Sequence, residues 1–159
     1  SDPKQFLVAL NNAICRNIKR TKTDKHLTLC FLDIEHDKLT LTGQHEELIL
    51  LRRSGAVETV DTLDLGFPVG LEDNISEFVR PLPMPFERGD TVVLYTDGVT
   101  EAENSKGEMY GLDRLIASTK DHGHKDAARM LEAMITDLRS HIGSAAIFDD
   151  ITLLVARRR

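Results

Sequence analysis

The residues best suited to chemistry are acids placed at the ends of apolar segments. Asp97 closes the run Val92–Tyr95 and is followed by Gly98, where the backbone can turn sharply, so a carboxylate is expected at the rim of a sheet. A carboxylate there is a natural ligand for a hard metal ion. Asp149 and Asp150 show the mirror arrangement, a pair of acids leading into the last apolar run, Ile151–Val155. If the two runs are antiparallel neighbours, the end of one and the start of the other share an edge. Three carboxylates then meet, and their repulsion favours a divalent cation between them. Taken singly, each acid is also explained as a turn residue or a helix cap.

Other polar groups carry weaker signals. Glu101 and Glu103 follow the Asp97 loop and could orient a metal-held water, although exposed loop acids are the commoner case. His122 and His124 flank Gly123 ahead of a long helical pattern, which a cap or linker explains more simply than a metal site. No Ser/His/Asp or Cys/His arrangement suggests a covalent nucleophile, so no residue is assigned as one. No glycine-rich phosphate loop of either common pattern is present.

The elements that must position these acids are legible from periodicity. Asp2 can cap a helix with Pro3 in its first turn, and Phe6, Leu10, Ile14 and Ile18 recur on one face to about Lys19. Leu27–Ile34 is apolar on both faces and reads as a mostly buried strand. His36-Asp37-Lys38 makes a turn, and Leu39–Thr42, Leu48–Leu51 and Val57–Val60 continue an antiparallel meander. Ser76–Val79 reads as a further strand, and Pro81, Pro83 and Pro85 as a surface loop. Thr91–Tyr95 is a buried strand, two helices follow at about Leu112–Ser118 and Lys125–Ser140, and Ile151–Val155 is the last strand. In the longer helix Ala127, Leu131, Met134, Ile135 and Leu138 form an apolar stripe. Antiparallel runs with segregated helices predict an α+β fold with two-layer sheet packing, not alternating βαβ units.

Composition sets the outer limits. The 159 residues suit one domain, and 41% hydrophobic with 29% charged residues is ordinary for a folded globular chain. With 20 Lys plus Arg against 26 Asp plus Glu, the formal charge of −6 disfavours nucleic acid and anionic lipid as partners. The basic run Arg16, Lys19, Arg20, Lys22, Lys25 and the closing Arg157-Arg158-Arg159 lack interleaved aromatic residues, and read as a solvated helix end and a frayed tail. No apolar stretch approaches the roughly 20 residues that span a bilayer, so no membrane contact is expected of this segment. Cys15 and Cys30 fall inside a helix and a strand, which suits buried thiols in a reducing cytoplasm.

The wording of the segments adds a resemblance. Arg88-Gly89-Asp90-Thr91-Val92-Val93-Leu94-Tyr95-Thr96-Asp97-Gly98-Val99-Thr100-Glu101-Ala102, with Asn104, Gly107, Glu108, Tyr110, Gly111 and Arg114-Leu115 after it, closely resembles the stage II sporulation E-like branch of the PPM (type 2C) protein phosphatases. Asp149-Asp150-Ile151-Thr152-Leu153-Leu154-Val155 matches the last motif of that family. Gly43-Gln44-His45 with Leu48–Leu51 resembles its middle hairpin. Gln44 stands where the family has a small residue, so His45 is expected to serve packing or a turn rather than catalysis.

The resemblance implies an antiparallel β-sandwich flanked by helices in α-β-β-α layers. It implies metal ligation by Asp97 and Asp149, a backbone carbonyl from Gly98 near the metals, and Asp150 in a supporting position. It further implies two Mn²⁺ or Mg²⁺ ions that activate a water for in-line attack on a phosphoserine or phosphothreonine. The implied substrate is a phosphorylated regulatory protein of the anti-sigma-factor antagonist type, with a sensor or receiver domain upstream. The family's first strands and its Gly-Asp-x-Ser-Gly-His-Gly type segment, whose aspartate bridges the metals, have no match here. Residues 1–159 are therefore expected to be one phosphatase-like domain, N-terminally incomplete and weakly active or inactive alone, with Ser1 a leftover of cloning. The competing expectation is a non-catalytic phosphatase-like module that pairs through an exposed sheet edge with another chain, a homodimer included.

Overall fold

The computed structural model describes residues 2–23 and 25–159, so Ser1 lies outside the described residues. In chain order the elements are helix α1 (Pro3–Thr21), strands β1 (Leu29–Glu35), β2 (Lys38–Gln44), β3 (Leu48–Leu51), β4 (Val57–Val60), β5 (Leu82–Pro85) and β6 (Thr91–Tyr95), helices α2 (Asp97–Thr100), α3 (Gly111–His122) and α4 (Ala127–Ile142), and strand β7 (Leu153–Arg157). They group into two compact units, Ser1–His45 with Asp61–Phe86, and Glu46–Val60 with Glu87–Arg159. Antiparallel sheets with separate helices bear out the α+β class.

In the first unit, α1 starts as its sequence prescribes. The Asp2 side chain accepts from Lys4 N at 3.0 Å, Pro3 occupies the first turn, and Lys22 ends the helix in the left-handed region at φ 54°. Its buried face is turned by one residue from the expected one. Leu7, Asn11 and Cys15 are buried, whereas Phe6 is 51% exposed and meets the Phe31 ring edge-on. Asn11 accounts for the rotation. Its amide donates to Glu72 O at 2.8 Å and its oxygen accepts from Gly70 N at 2.8 Å, so a polar side chain is fully satisfied in a buried position. A pattern built on apolar residue types alone skips it.

The sheet of this unit runs β1-β2-β5, all antiparallel. β1 is an edge strand, and it goes from half-buried to exposed along its length instead of being mostly buried. The expected loop of Pro81, Pro83 and Pro85 contains β5, which pairs Leu82 with Leu41 and Met84 with Leu39. Prolines two apart fit an edge, because every second residue there turns its N–H away from the partner strand. The expected strand Ser76–Val79 is a turn: Asn74 Oδ1 captures Ser76 N and Oγ at 3.0 and 2.7 Å, and Phe78 N donates back to Ile75 O.

The second unit holds the four-stranded sheet β4-β3-β6-β7, again antiparallel throughout. Thr91, Val92 and Val93 of β6 are fully buried between β3 and β7, and each valine so buried is worth about 1.5–3 kcal/mol. Helix α4, capped by Asp126 on Arg129 N, buries Met130, Met134, Leu138 and Ile142 at four-residue spacing against this sheet. A buried carboxylate fixes the turn that launches β6. Asp90 accepts from Arg53 N at 2.9 Å, Glu87 N at 3.0 Å and the Arg52 guanidinium at 3.1 Å, and Arg52 also pairs with Glu58. Burial opposes its charge, yet these amides and the guanidinium hold the Asp90 carboxyl below its ordinary value.

Candidate active site

β6 and β7 are adjacent and antiparallel, with Tyr95 opposite Leu153, so the C-terminal end of one strand lies beside the start of the other. The pairing continues past the strands through Thr96. Its N–H donates to Thr152 O at 3.1 Å, its hydroxyl donates to Asp150 O at 2.9 Å, and the same oxygen accepts from Thr152 N at 2.9 Å. Thr96 therefore stitches the segment carrying Asp97 to the segment carrying Asp149 and Asp150. Sequence reasoning missed this residue, whose signal was a hydroxyl wedged between a buried strand and an acid.

At Thr96 the chain turns from strand into the single-turn helix α2, with Asp97 as its first residue. Val99 N bonds to Thr96 O and Glu101 N to Asp97 O, which fixes the backbone on both sides of the carboxylate. Gly98 does more than permit a turn. A Cβ built on it would sit 2.5 Å from Asp150 O and 3.1 Å from Asp150 C, both backbone atoms, so only glycine lets the two segments approach this closely.

The structure thus brings Asp97, Gly98, Asp149 and Asp150 to one edge of one unit. The three acids are solvent-exposed. Their carboxylates do not gather into a ready-made ligand set as expected. Asp97 Oδ1 accepts from Gly98 N at 2.9 Å and Asp149 Oδ1 from Asp150 N at 2.7 Å, each folding onto its own next amide. Among the described residues no group of three or more His, Cys, Asp or Glu side chains is arranged to hold a metal ion.

A cleft of about 180 Å³ opens beside these acids, lined by Gly98, Glu101, Glu103 and Asp149 and by apolar Met109, Ile147 and Phe148. Glu101 is exposed and terminates α2, and Glu103 forms an isolated bridge with Met109. The three histidines singled out from the sequence make hydrogen bonds outside the cleft. His45 Nδ1 pairs with Thr28 Oγ1 at 2.9 Å, and its backbone N–H and carbonyl both engage the Thr62 hydroxyl. His122 Nε2 lies 2.8 Å from Asp137 Oδ2 and its Nδ1 3.0 Å from Lys125 Nζ, while His124 Nδ1 meets Asp121 O in the turn before α4.

The profile of the family described as Stage II sporulation protein E (SpoIIE) matches residues 1–159. The chain is 24% identical over 163 residues to phosphoserine phosphatase RsbU of Bacillus subtilis, covering 99% of this chain and 45% of that protein. It spans less than half the length of the curated relatives it matches. Among solved structures it resembles the SiaA-PP2C domain of Pseudomonas aeruginosa with a TM-score of 0.72 at 19% identity, over 100% of this chain and 72% of that one. It also resembles the catalytic domain of the serine/threonine phosphatase PstP, solved in complex with two manganese ions, with a TM-score of 0.58 at 16% identity over 92% of this chain and 66% of that one. These structures share the fold of this chain. Among the described residues no helix is long and apolar enough to cross a membrane.

Proposed function

The chain belongs to the stage II sporulation protein E family, and from that premise we propose that it serves a metal-dependent protein serine/threonine phosphatase. The observation that carries the proposal is the backbone closure of Gly98 on Asp150, which sets Asp97 and Asp149 on facing strand ends. Two exposed carboxylates with backbone carbonyls nearby are the oxygen donors that Mg²⁺ or Mn²⁺ takes. Two carboxylates are fewer than such an ion takes, so water and further ligands complete the coordination. Divalent ions held there supply positive charge for the phosphoryl oxygens and an activated water.

The chain's own residues position that chemistry. Asp97 and Asp149 are the ligands. Gly98 and Thr96 set the distance between their segments, and Asp150 supports the arrangement through its backbone carbonyl, the acceptor for Thr96. Glu101 and Glu103 face the cleft, where a carboxylate can orient water. The relative RsbU is a phosphoserine phosphatase by name. By that likeness the substrate is a phosphoserine; the resemblance of the Asp97 and Asp149 motifs to the family extends the proposal to phosphothreonine, to a regulatory protein of the anti-sigma-factor antagonist type in the cytoplasm, and to a sensor or receiver domain in the full-length protein.

The test is p-nitrophenyl phosphate hydrolysis by the intact protein with Mn²⁺, beside its Asp97→Ala and Asp149→Ala forms. Each substitution is expected to lower kcat at least 100-fold. Activity indifferent to both would remove the assignment, and no Mn²⁺-dependent hydrolysis by the intact protein would favour a non-catalytic interaction module.

A further inference from the structure

The cleft beside Asp149 has more to it than the proposed chemistry uses. Among the described residues of the second unit four large apolar side chains are exposed: Met109 at 57%, Ile147 at 62%, Phe148 at 87% and Leu154 at 48%. Three of the four, Met109, Ile147 and Phe148, line this one cleft. Scattered single exposures need no explanation, but a cluster at the mouth of a site marks a binding surface.

Met109 is held out by a fixed backbone. Tyr110 N donates to Ala102 O at 2.8 Å, and Glu108 O accepts from both Asn104 N at 3.0 Å and His141 Nε2 at 2.9 Å. Asn104 Oδ1 gathers Lys106 N and Glu108 N, and the Asn104 amide reaches Glu108 Oε2. Binding at Met109 therefore needs no ordering of its loop backbone, which lowers that part of the cost.

The polar part of the lining is of one sign. Asp149 is the proposed ligand, whose charge a bound cation would offset, but Glu101 and Glu103 add two further carboxylates and no basic residue lines the cleft. A volume of about 180 Å³ is the scale of one large apolar side chain. An apolar floor with an acidic rim selects an apolar anchor on a segment carrying Lys or Arg and repels one carrying Asp or Glu.

We infer that this cleft is the specificity pocket for the phosphorylated protein, taking a Leu- or Phe-sized side chain within a few residues of the phosphoserine or phosphothreonine on a segment with basic flanks. The inference rests on the phosphatase reading for what lies next door. The anchor holds the substrate segment across the cleft while its phosphate reaches the Asp97 and Asp149 edge.

The experiment separates the two ideas. Binding of fluorescent peptides in which a non-hydrolysable phosphonate stands in for the phosphoserine phosphate is measured on the intact protein with Mn²⁺ present. Three peptides are compared: Leu near the phosphoserine with Lys flanks, Gly replacing that Leu, and Asp replacing the Lys residues. The first is expected to bind at least 10-fold tighter than either other, with Phe148→Ser and Met109→Ser erasing the advantage and Leu154→Ser, outside the cleft, retaining it. Equal binding of the Leu and Gly peptides, or a preference untouched by Phe148→Ser, overturns the inference. So does self-association removed by Phe148→Ser without any peptide preference, which would assign the cleft to a second copy of the chain. Hydrolysis of p-nitrophenyl phosphate by the wild-type protein, read separately, tests the phosphatase chemistry alone.

Discussion

Adding one methyl group at Gly98 should uncouple the two acid-bearing segments. In Gly98→Ala the new carbon meets Asp150 O at 2.5 Å and Asp150 C at 3.1 Å, and backbone cannot rotate away as a side-chain tip would. Relief to ordinary contact, near 3.5 Å, requires the Asp149–Asp150 segment to retreat by roughly 1 Å. Overpacking of this kind costs about 1–3 kcal/mol, or roughly 3–9 °C in Tm for a chain of this size. The functional effect should be larger, since a ~1 Å misplacement at a reacting centre can cost about 100-fold in rate.

The assay titrates Mn²⁺ and follows the free-ion signal by electron paramagnetic resonance, with p-nitrophenyl phosphate turnover by the intact protein and a thermal melt alongside. Gly123→Ala is the control: its Cβ would meet the Leu51 side chain at 2.3 Å, in the same unit but away from the acids. That variant should keep Mn²⁺ affinity and lose less stability than Gly98→Ala, because the Leu51 tip can turn aside. Gly98→Ala with wild-type Mn²⁺ affinity and turnover would refute the claim that this contact sets the site.

Thr96→Val removes the hydroxyl that bonds to Asp150 O and Thr152 N, and should cost about 1 kcal/mol in urea unfolding, since water can reach the groups left behind, while weakening Mn²⁺ binding. Asp90→Asn should cost about 3 kcal/mol, because the buried network loses its charge while Arg52 and two amides remain. The Asp90 carboxyl lies below its ordinary value of 3.8 when folded, so its contribution is complete above that pH and disappears as pH falls through the lowered value. The gap in urea midpoint between wild type and Asp90→Asn should therefore hold from about pH 7 to 5 and narrow as the pH falls through the lowered carboxyl value. Thr62→Val breaks the hydroxyl link to both backbone groups of His45 and should cost about 2 kcal/mol in the melt. Burial pushes the Cys30 thiol up to about 11, so its alkylation at pH 8, followed by mass spectrometry, should run at least about 10-fold slower than that of an ordinary free thiol.

Where burial was the deciding force, the chain announced its structure. β3 and β6 are apolar on both faces because both faces are covered, and their limits were read at Leu48–Leu51 and Thr91–Tyr95. The α4 stripe is legible only in part: Met134 and Leu138 are buried as expected, but Met130 and Ile142 complete the buried face while Ala127, Leu131 and Ile135 stay half-buried beside it. Legibility failed where a polar or proline residue did structural work. Asn11 replaced an apolar residue on the buried face of α1, Asn74 turned Ser76–Val79 away from strand, and Pro83 and Pro85 concealed an edge strand. Asn11 depends on partners distant in sequence and the prolines on an edge position, neither of which a local window contains, whereas the Asn74 turn is local and its side-chain capture of Ser76 competes with strand formation within three residues.

For the site the division has the same cause. The available groups are written in the residue order: Asp97 after a buried strand, Asp149 and Asp150 before another, and a glycine beside the first. Residue types and local periodicity are properties of the chain alone. That the two strands are neighbours, that Thr96 joins their ends, and that Gly98 lies against Asp150 was decided only by tertiary structure. Those facts come from the register of residues more than 50 positions apart. The turning of each carboxylate onto its own amide was decided there too, because it depends on backbone angles set by the strand ends on either side.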